Sequence, residues 1–480
     1  MTDGQEKDTL SDRSPSKTKL NEEVLAPTCK IGYRHPLIQI VIVSIVCFCC
    51  PGMYNSITGL GGGGQLDATA ADNATFALCA TFAIVAFFSG SIVNKLGPKL
   101  SMTIGCTGYT FFIGSYVYYN HTQQSNVVIA AGAFLGLSAA LLWTAQGALM
   151  LAYSTEATKG RYIAMFWFIY NLGAVLGDAI ALGRNRTSTA DTPVPDSIYI
   201  VFICITICGI ASTFALTDPS TVRRANGEHV VLQKSLSWKS EFEGMAQTLT
   251  KDPMVLLLFP FFWASTWFYT YLFNDFNLAL FNLRTRSLNA LLYWISQLVG
   301  STFLGCCLDF SSKYELFQSG RRRGFLGWGL LAAVLFGTWG GGWVVQKDFD
   351  RDSVILKMDW SDNQYTGRVI LYIFYGIMDA MWQTYAYWVM AAFSNDPRTL
   401  ASLVGFYKGI QAAGAAVIYQ VDAKGVSYKT IFLSSWALLA LGIVCLLPVL
   451  FLRIKVNFYN ENFWSASHRK STTNCVIIYF

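Results

Sequence analysis

The chain has 480 residues, 53% of them hydrophobic and 13% charged, with mean hydropathy +0.39; a soluble domain carries roughly 25% charged residues, so a soluble globular protein is excluded. The net charge of +6 comes from Lys and Arg in short loops between long apolar runs, with no basic stripe, so nucleic acid is not an expected partner. The twelve Cys fall almost entirely inside those runs and show no zinc spacing with His, so they read as buried small hydrophobes and no metal is expected.

Residues 1–36 are rich in Lys, Asp, Glu, Ser and Thr and read as a disordered tail. No cleavable signal peptide is visible; the first apolar run serves as an uncleaved anchor. A span takes about 20 mostly apolar residues. Runs of that kind fall at 37–59, 73–93, 100–120, 126–150, 161–183 and 198–217. A polar linker, 218–253, follows, then six more runs at 254–275, 287–308, 324–346, 366–392, 399–420 and 428–452, and a tail at 453–480. The expected fold class is an all-α membrane protein with about 12 transmembrane helices. Its domains are an N-terminal six-helix half (37–217) and a C-terminal six-helix half (254–452).

With the N-terminus cytosolic, 24 of the 35 Lys and Arg collect on the cytosolic side, as the positive-inside rule requires, and both termini are cytosolic. Three Asn-x-Ser/Thr sequons, at Asn73, Asn120 and Asn185, fall on the opposite side, where glycosylation occurs. A multi-pass protein of a membrane derived from the secretory pathway, plasma membrane or vacuole/endosome, is expected.

The halves resemble each other. Gly90-Ser-Ile-Val-Asn94 ends the second run and Gly305-Cys-Cys-Leu-Asp309 ends the eighth. Ser154-Thr-Glu156 precedes the fifth run and Ser394-Asn-Asp396 the eleventh, a register that pairs Asn171 with Gln411. A duplicated six-span unit with pseudo-symmetric halves explains this order.

A charge at mid-bilayer costs about 2.5–3.5 kcal/mol on insertion scales, so it is paired or faces a wet cavity. Asp379 lies near the middle of the tenth run and Lys408 near the middle of the eleventh, at similar depth, which makes them natural partners. Gln383 and Tyr387 follow Asp379 on one helical face, and Gln411 follows Lys408 at i+3. These faces are expected to line a central polar cavity; the alternative is a static ion pair that fixes packing. Asp178, on the face of Asn171, is either a proton or cation site or a group reaching outer water. Asn55 and Gln146, with Tyr54 and Trp143, are further cavity candidates. Gly132/Gly136, Gly173/Gly177 and Gly405/Gly409 form Gly-x-x-x-Gly pairs, the last two expected to give close contact between halves. The run Gly61–Gly64 lacks Gly-Lys-Ser/Thr and reads as a flexible outer turn rather than a phosphate cradle.

Gly90-x-x-x-Asn94-Lys95-x-Gly97-Pro98-Lys99 resembles the loop between the second and third spans of the major facilitator superfamily. The resemblance implies a gating loop with a basic latch, weakened here by Asn94 and Pro98. Beyond it, the sequence resembles the Unc-ninety-three-like, ion-channel regulatory family in its fungal-type branch. That likeness rests on Gly52-Met-Tyr-Asn55, Gly59-Leu-Gly61-Gly-Gly-Gly-Gln65, Lys159-Gly-Arg-Tyr162, Asn171-Leu-Gly173, Gly376-Ile-Met-Asp379, Tyr387-Trp388, Ser394-Asn-Asp-Pro397 and Gly405-Phe-Tyr-Lys-Gly409. It implies the major-facilitator fold and either of two roles. The first is a secondary transporter of a small solute or ion by alternating access. The second is a non-transporting accessory subunit or trafficking partner of another membrane protein, such as an ion channel. The lipid bilayer is the one partner common to both. No cofactor is expected and an enzyme is not: the four His lie outside the runs, and no nucleophile elbow appears.

Overall fold

The computed structural model describes residues 32–154, 159–189, 192–223, 230, 253–310, 319–353, 356–393 and 397–454. The expected tails, most of the 218–253 linker, and the repeat markers Thr155-Glu156 and Ser394–Asp396 lie outside the described residues.

Among the described residues twelve long helical segments follow one another: α1 (Pro36–Gly59), α2 (Thr69–Leu96), α3 (Pro98–Thr122), α4 (Ser125–Tyr153), α5 (Lys159–Asn185), α6 (Asp196–Phe214), α7 (Met254–Leu278), α8 (Leu283–Phe310), α9 (Gly320–Gln346), α10 (Tyr365–Phe393), α11 (Pro397–Ala423) and α12 (Tyr428–Leu452). Each matches an expected run, lengthened by a few residues where polar side chains continue the helix past the apolar stretch. A parallel bridge between extended segments joins Phe281 and Met358.

Nine of the twelve are long and apolar enough to cross a membrane by length and composition. The other three, α3, α10 and α11, have 25, 29 and 27 residues, and at 1.5 Å per residue each exceeds the ~30 Å hydrocarbon thickness. They fall short in hydropathy because their polar residues face protein. Thr103 and Thr110 of α3 bond to Thr213 and Thr206 of α6, and α10 and α11 carry the charged residues described below.

Two helices are broken where their sequence demands it. Pro51 lacks an N–H and clashes with the preceding turn, so α1 is a helix over Pro36–Cys49 and another over Pro51–Gly59, joined at Cys50. The seventh segment, with Pro253 and Pro260, runs through 3-10 geometry to an α-turn at Phe259–Trp263 and ends in a π-helical stretch, Tyr271–Leu278. Such widened turns recur at functional sites; this one carries Asn274, Asp275 and Asn277, all buried.

Buried apolar residues sort into two clusters, one drawn almost wholly from α1–α6 and the other from α7–α12. Large apolar side chains such as Ile84, Phe111, Phe168, Val299, Val344 and Val444 point outward around the bundle, as a lipid-facing surface requires. The halves meet chiefly through α2 against α11 and α5 against α8. One expectation is corrected here. Gly173 and Gly177 pack against Phe48 and Ser56 of α1, inside their own half, while Gly405 and Gly409 have open space where a Cβ would sit. The glycine pairs do not form the contact between halves. Gly132 and Gly136 bring α4 onto the backbone of α2 at Ala74 and Leu78.

The connections gather on two faces. The chain-end face carries residues 32–35, 97 and 215–223, with Lys99 nearby; the far face carries 60–68, 186–195, 279–282, 347–364 and 424–427.

Candidate functional site

Asp379 sits at the middle of α10 with no exposure to solvent. Gly376, one turn earlier, lets α8 approach closely: a Cβ there would stand 2.1 Å from Ser296 Oγ and 2.8 Å from the Tyr293 carbonyl oxygen. The result is a nest of donors for one carboxylate oxygen. Tyr293 O–H and Gln297 Nε2 donate to Asp379 Oδ2, both at 2.7 Å, and Tyr269 O–H of α7 donates at 3.0 Å. Gln383 Nε2, one turn along α10, reaches Oδ1 at 3.4 Å and the Ser265 carbonyl at 2.9 Å.

The network continues into α11. Gln383 Oε1 accepts from Tyr407 O–H and from Gln411 Nε2 (3.2 Å), and Gln411 Oε1 accepts from Lys408 Nζ at 2.9 Å. Lys408 is half-buried, its ammonium 5.0 Å from the ring centre of Tyr407 and 5.7 Å from that of Tyr387, a range in which a cation is attracted to a ring face. The structure therefore brings Asp379, Gln383, Tyr387, Lys408 and Gln411 together, with one correction. Asp379 and Lys408 form no direct ion pair. Two glutamine amides lie between them, because phenol and amide donors already occupy the carboxylate and a carbonyl and two rings satisfy the ammonium.

The candidates of the N-terminal half do not join this network. Asp178 is fully buried; Ser56 Oγ donates to its Oδ1 at 2.5 Å and its Oδ2 accepts no hydrogen bond. Asn55 Nδ2 donates to Tyr170 O–H at 2.8 Å, and the Tyr170 ring meets Trp143 edge-on. Asn171 and Gln146 are half-buried.

In the expected gating loop, Gly97 has φ +79°, a conformation glycine adopts without strain, and it turns the chain from α2 into α3. Lys99 Nζ donates to the Phe214 and Leu216 carbonyls at 2.8 and 3.0 Å, satisfying the negative end of α6. This tie lies within one half. Gly90 is buried near the end of α2, and Asn94 and Lys95 are exposed. Of the sequon asparagines, Asn73 is partly exposed on α2. Asn120 is held by Asp196 and Gln65, and Asn185, 2% exposed, donates to Ser287 of α8. A glycan on Asn185 has no room in this packing.

A second polar cluster, on the far face, was not anticipated. The run Gly61–Gly64, expected as a flexible turn, is buried with positive φ throughout and docks against α7. A Cβ on Gly61 would stand 2.1 Å from the Phe273 carbonyl oxygen. Gly62 N–H donates to Asn274 Oδ1 at 2.8 Å, and Asn274 Nδ2 donates to Asp72 of α2 (2.7 Å) and Asp422 of α11 (2.9 Å). Arg351 pairs with Asp422, lies 3.6 Å from Asp275, and stacks its guanidinium over Tyr428 at 4.4 Å. Fully buried Arg286 donates to the Leu60 and Gly61 carbonyls, and Asn277 to that of Gly59. Nearer the surface, Arg284 grips Asp359 of the 347–364 loop through Nε (2.6 Å) and Nη2. That guanidinium holds the Asp359 carboxyl far below the usual carboxylate range. The sequence signal for this cluster was slight: Asp72, Asp275 and Asp422 sit at or beyond the ends of apolar runs, where charge is ordinary.

Residues 65–318 match the family model described as ion channel regulatory protein UNC-93. The chain is 44% identical over 430 residues to UNC93-like protein C922.05c of Schizosaccharomyces pombe, covering 89% of this chain and 84% of that protein. It is 39% identical over 437 residues to UNC93-like protein 1 of Arabidopsis thaliana, covering 90% and 94%. Among solved structures, the xylose transporter XylE of E. coli, in a partially occluded inward-open conformation, superposes with TM-score 0.57 at 11% identity, over 87% of this chain and 97% of that one.

Proposed function

Since the chain belongs to the UNC-93 family and has the helical architecture of major-facilitator transporters, we propose that it is a secondary transporter of a small solute or ion, working by alternating access. The observation that carries this reading is the mid-span network itself. A buried carboxylate and a half-buried ammonium stand at the two ends of one hydrogen-bonded chain, on two of the three helices that fall short of the others in hydropathy. Neither charge neutralises the other by contact, so each retains field for a charged substrate or coupling ion. In this reading Asp379 and Lys408 hold or couple the substrate, Gln383, Gln411 and Tyr387 orient it, and Asp178 carries a proton. The contacts at the far face would close one end of the pathway, and their release would open it.

Uptake into proteoliposomes under imposed proton and ion gradients tests the reading. Wild-type uptake should follow one gradient, and Asp379→Asn should abolish that coupling while the protein still folds. A gradient-driven uptake that Asp379→Asn leaves intact makes the network packing alone.

The description of the matching family, ion channel regulatory protein, favours a second reading: an accessory subunit of another membrane protein. Co-purification of a stoichiometric membrane partner, with no solute uptake, selects it. For orientation, the excess of Lys and Arg on the chain-end face supports that face, with both termini, as cytosolic. Asn73 is then the sequon best placed to carry a glycan, and loss of a glycosidase-sensitive mobility shift in Asn73→Gln tests this.

A further inference from the structure

The far-face cluster does not balance its charge. Asp72, Asp275 and Asp422 are each no more than 3% exposed, against two guanidinium groups: Arg351, which pairs with Asp422 and lies 3.6 Å from Asp275, and Arg286, which donates to the Leu60 and Gly61 carbonyls. Asp275 accepts no hydrogen bond at either oxygen. Asp72 has a single neutral donor, Asn274 Nδ2, on one oxygen. A buried carboxylate so placed either takes up a proton or gathers a cation.

Beside Asp72 lies a cavity of about 10 Å³, room for one water-sized occupant. Its polar border is Asp72, Thr58, Thr75, Asn274, Tyr116 and Tyr419. The ligand atoms here are the Asp72 carboxylate and the hydroxyls of Thr58, Thr75, Tyr116 and Tyr419, a hard-oxygen set with no imidazole or thiolate, which disfavours transition metals; Asn274 turns its Nδ2 to Asp72 and its Oδ1 to the Gly62 N–H. The volume excludes any hydrated ion and any organic solute, and a lining with one carboxylate favours an ion of single charge over a divalent one.

We propose that this cavity binds a monovalent cation of sodium's size, with Asp72 as its charged ligand. Thr58 and Thr75 come from α1 and α2 and Tyr419 from α11, so the full ligand set exists only while the two halves are closed at this face. Bound cation therefore favours the closed state. The site is remote in sequence and bonding from Asp379 and stands whether or not the mid-span network transports.

The test is thermal unfolding of the full-length protein in detergent, in sodium chloride against choline chloride at constant ionic strength and pH. Binding to the folded state should raise Tm by about 1–2 °C for each tenfold increase of sodium above its Kd, with no rise in choline. Asp72→Asn should remove the sodium-specific rise. A wild type that melts identically in both salts, or a rise that survives in Asp72→Asn, overturns the site and leaves a protonated Asp72 beside a bound water. Should Asp72→Asn fail to fold, Thr75→Val decides by the same two readings.

Discussion

The two polar clusters solve opposite problems with similar residues. Around Asp379 every strong partner lies on α7, α8, α10 or α11, within one half, and the carboxylate accepts from three side chains on a single oxygen. At the far face, Asp72, Asn274 and Asp422 join α2 to α7 and α11 across the halves, and the carboxylates there are poorly supplied with donors. In the proposed alternating-access cycle, a site that persists throughout would be satisfied locally, and a contact made and broken would be shared between the moving halves and left marginal, since each state has to remain within a few kcal/mol of the other.

Removing Arg351 should break this contrast most severely. Its side chain is the counter-charge for two fully buried carboxylates. Arg351→Ala is expected to cost about 3–5 kcal/mol, the penalty of stranding a buried charge, read as a fall in Tm in detergent. Adding Asp422→Asn should return part of the loss, because the stranded charge is then gone.

Gly61→Ala comes next. It places a Cβ against the Phe273 carbonyl oxygen at a residue with φ +78°. Left-handed strain of about 1–2 kcal/mol adds to about 1–3 kcal/mol for forced displacement. The loss should fall on the contact between halves, so cysteine labelling at the far face should quicken along with the fall in Tm. Unchanged labelling would mean the glycine loop is not part of the closure.

The same contrast marks what could be read without coordinates. Asp379 and Lys408 were legible because a charge in the middle of an apolar run has few explanations. Helix limits were legible because run length and bilayer thickness constrain each other. Tyr269, Tyr293 and Gln297 were not, since tyrosine and glutamine are common in such runs and the pairing of α8 with α10 is not written in one chain. The separation of Asp379 from Lys408 was not legible for that reason: the donors that occupy the carboxylate come largely from helices distant in sequence. The far-face cluster assembles residues 72, 274, 351 and 422, each ordinary in its own neighbourhood. The run Gly61–Gly64 looked flexible because composition reports conformational freedom and not what docks against it.

A graded pair of substitutions sharpens the account of the mid-span site. Tyr293→Phe removes a 2.7 Å hydrogen bond to a carboxylate and should cost about 1.5–3 kcal/mol. Tyr407→Phe removes a bond to the neutral Gln383 amide and should cost about 0.5–1.5 kcal/mol. Equal losses would indicate that Asp379 carries no charge in the folded protein.

The smallest effect is expected at the outer anchor of the loop that also supplies Arg351, where pH becomes the probe. Arg284 and Asp359 are 19% and 14% exposed, so Asp359→Asn should cost only about 1 kcal/mol near neutral pH. The Asp359 pKa is lowered on folding, so its stabilisation is complete above the unfolded carboxyl's range, about 4, and declines as pH falls below it. The Tm difference between wild type and Asp359→Asn should therefore be constant from pH 7 to 5 and narrow progressively below pH 4. A difference that widens on acidification would reverse the sign and show that the fork with Arg284 does not hold this loop in solution.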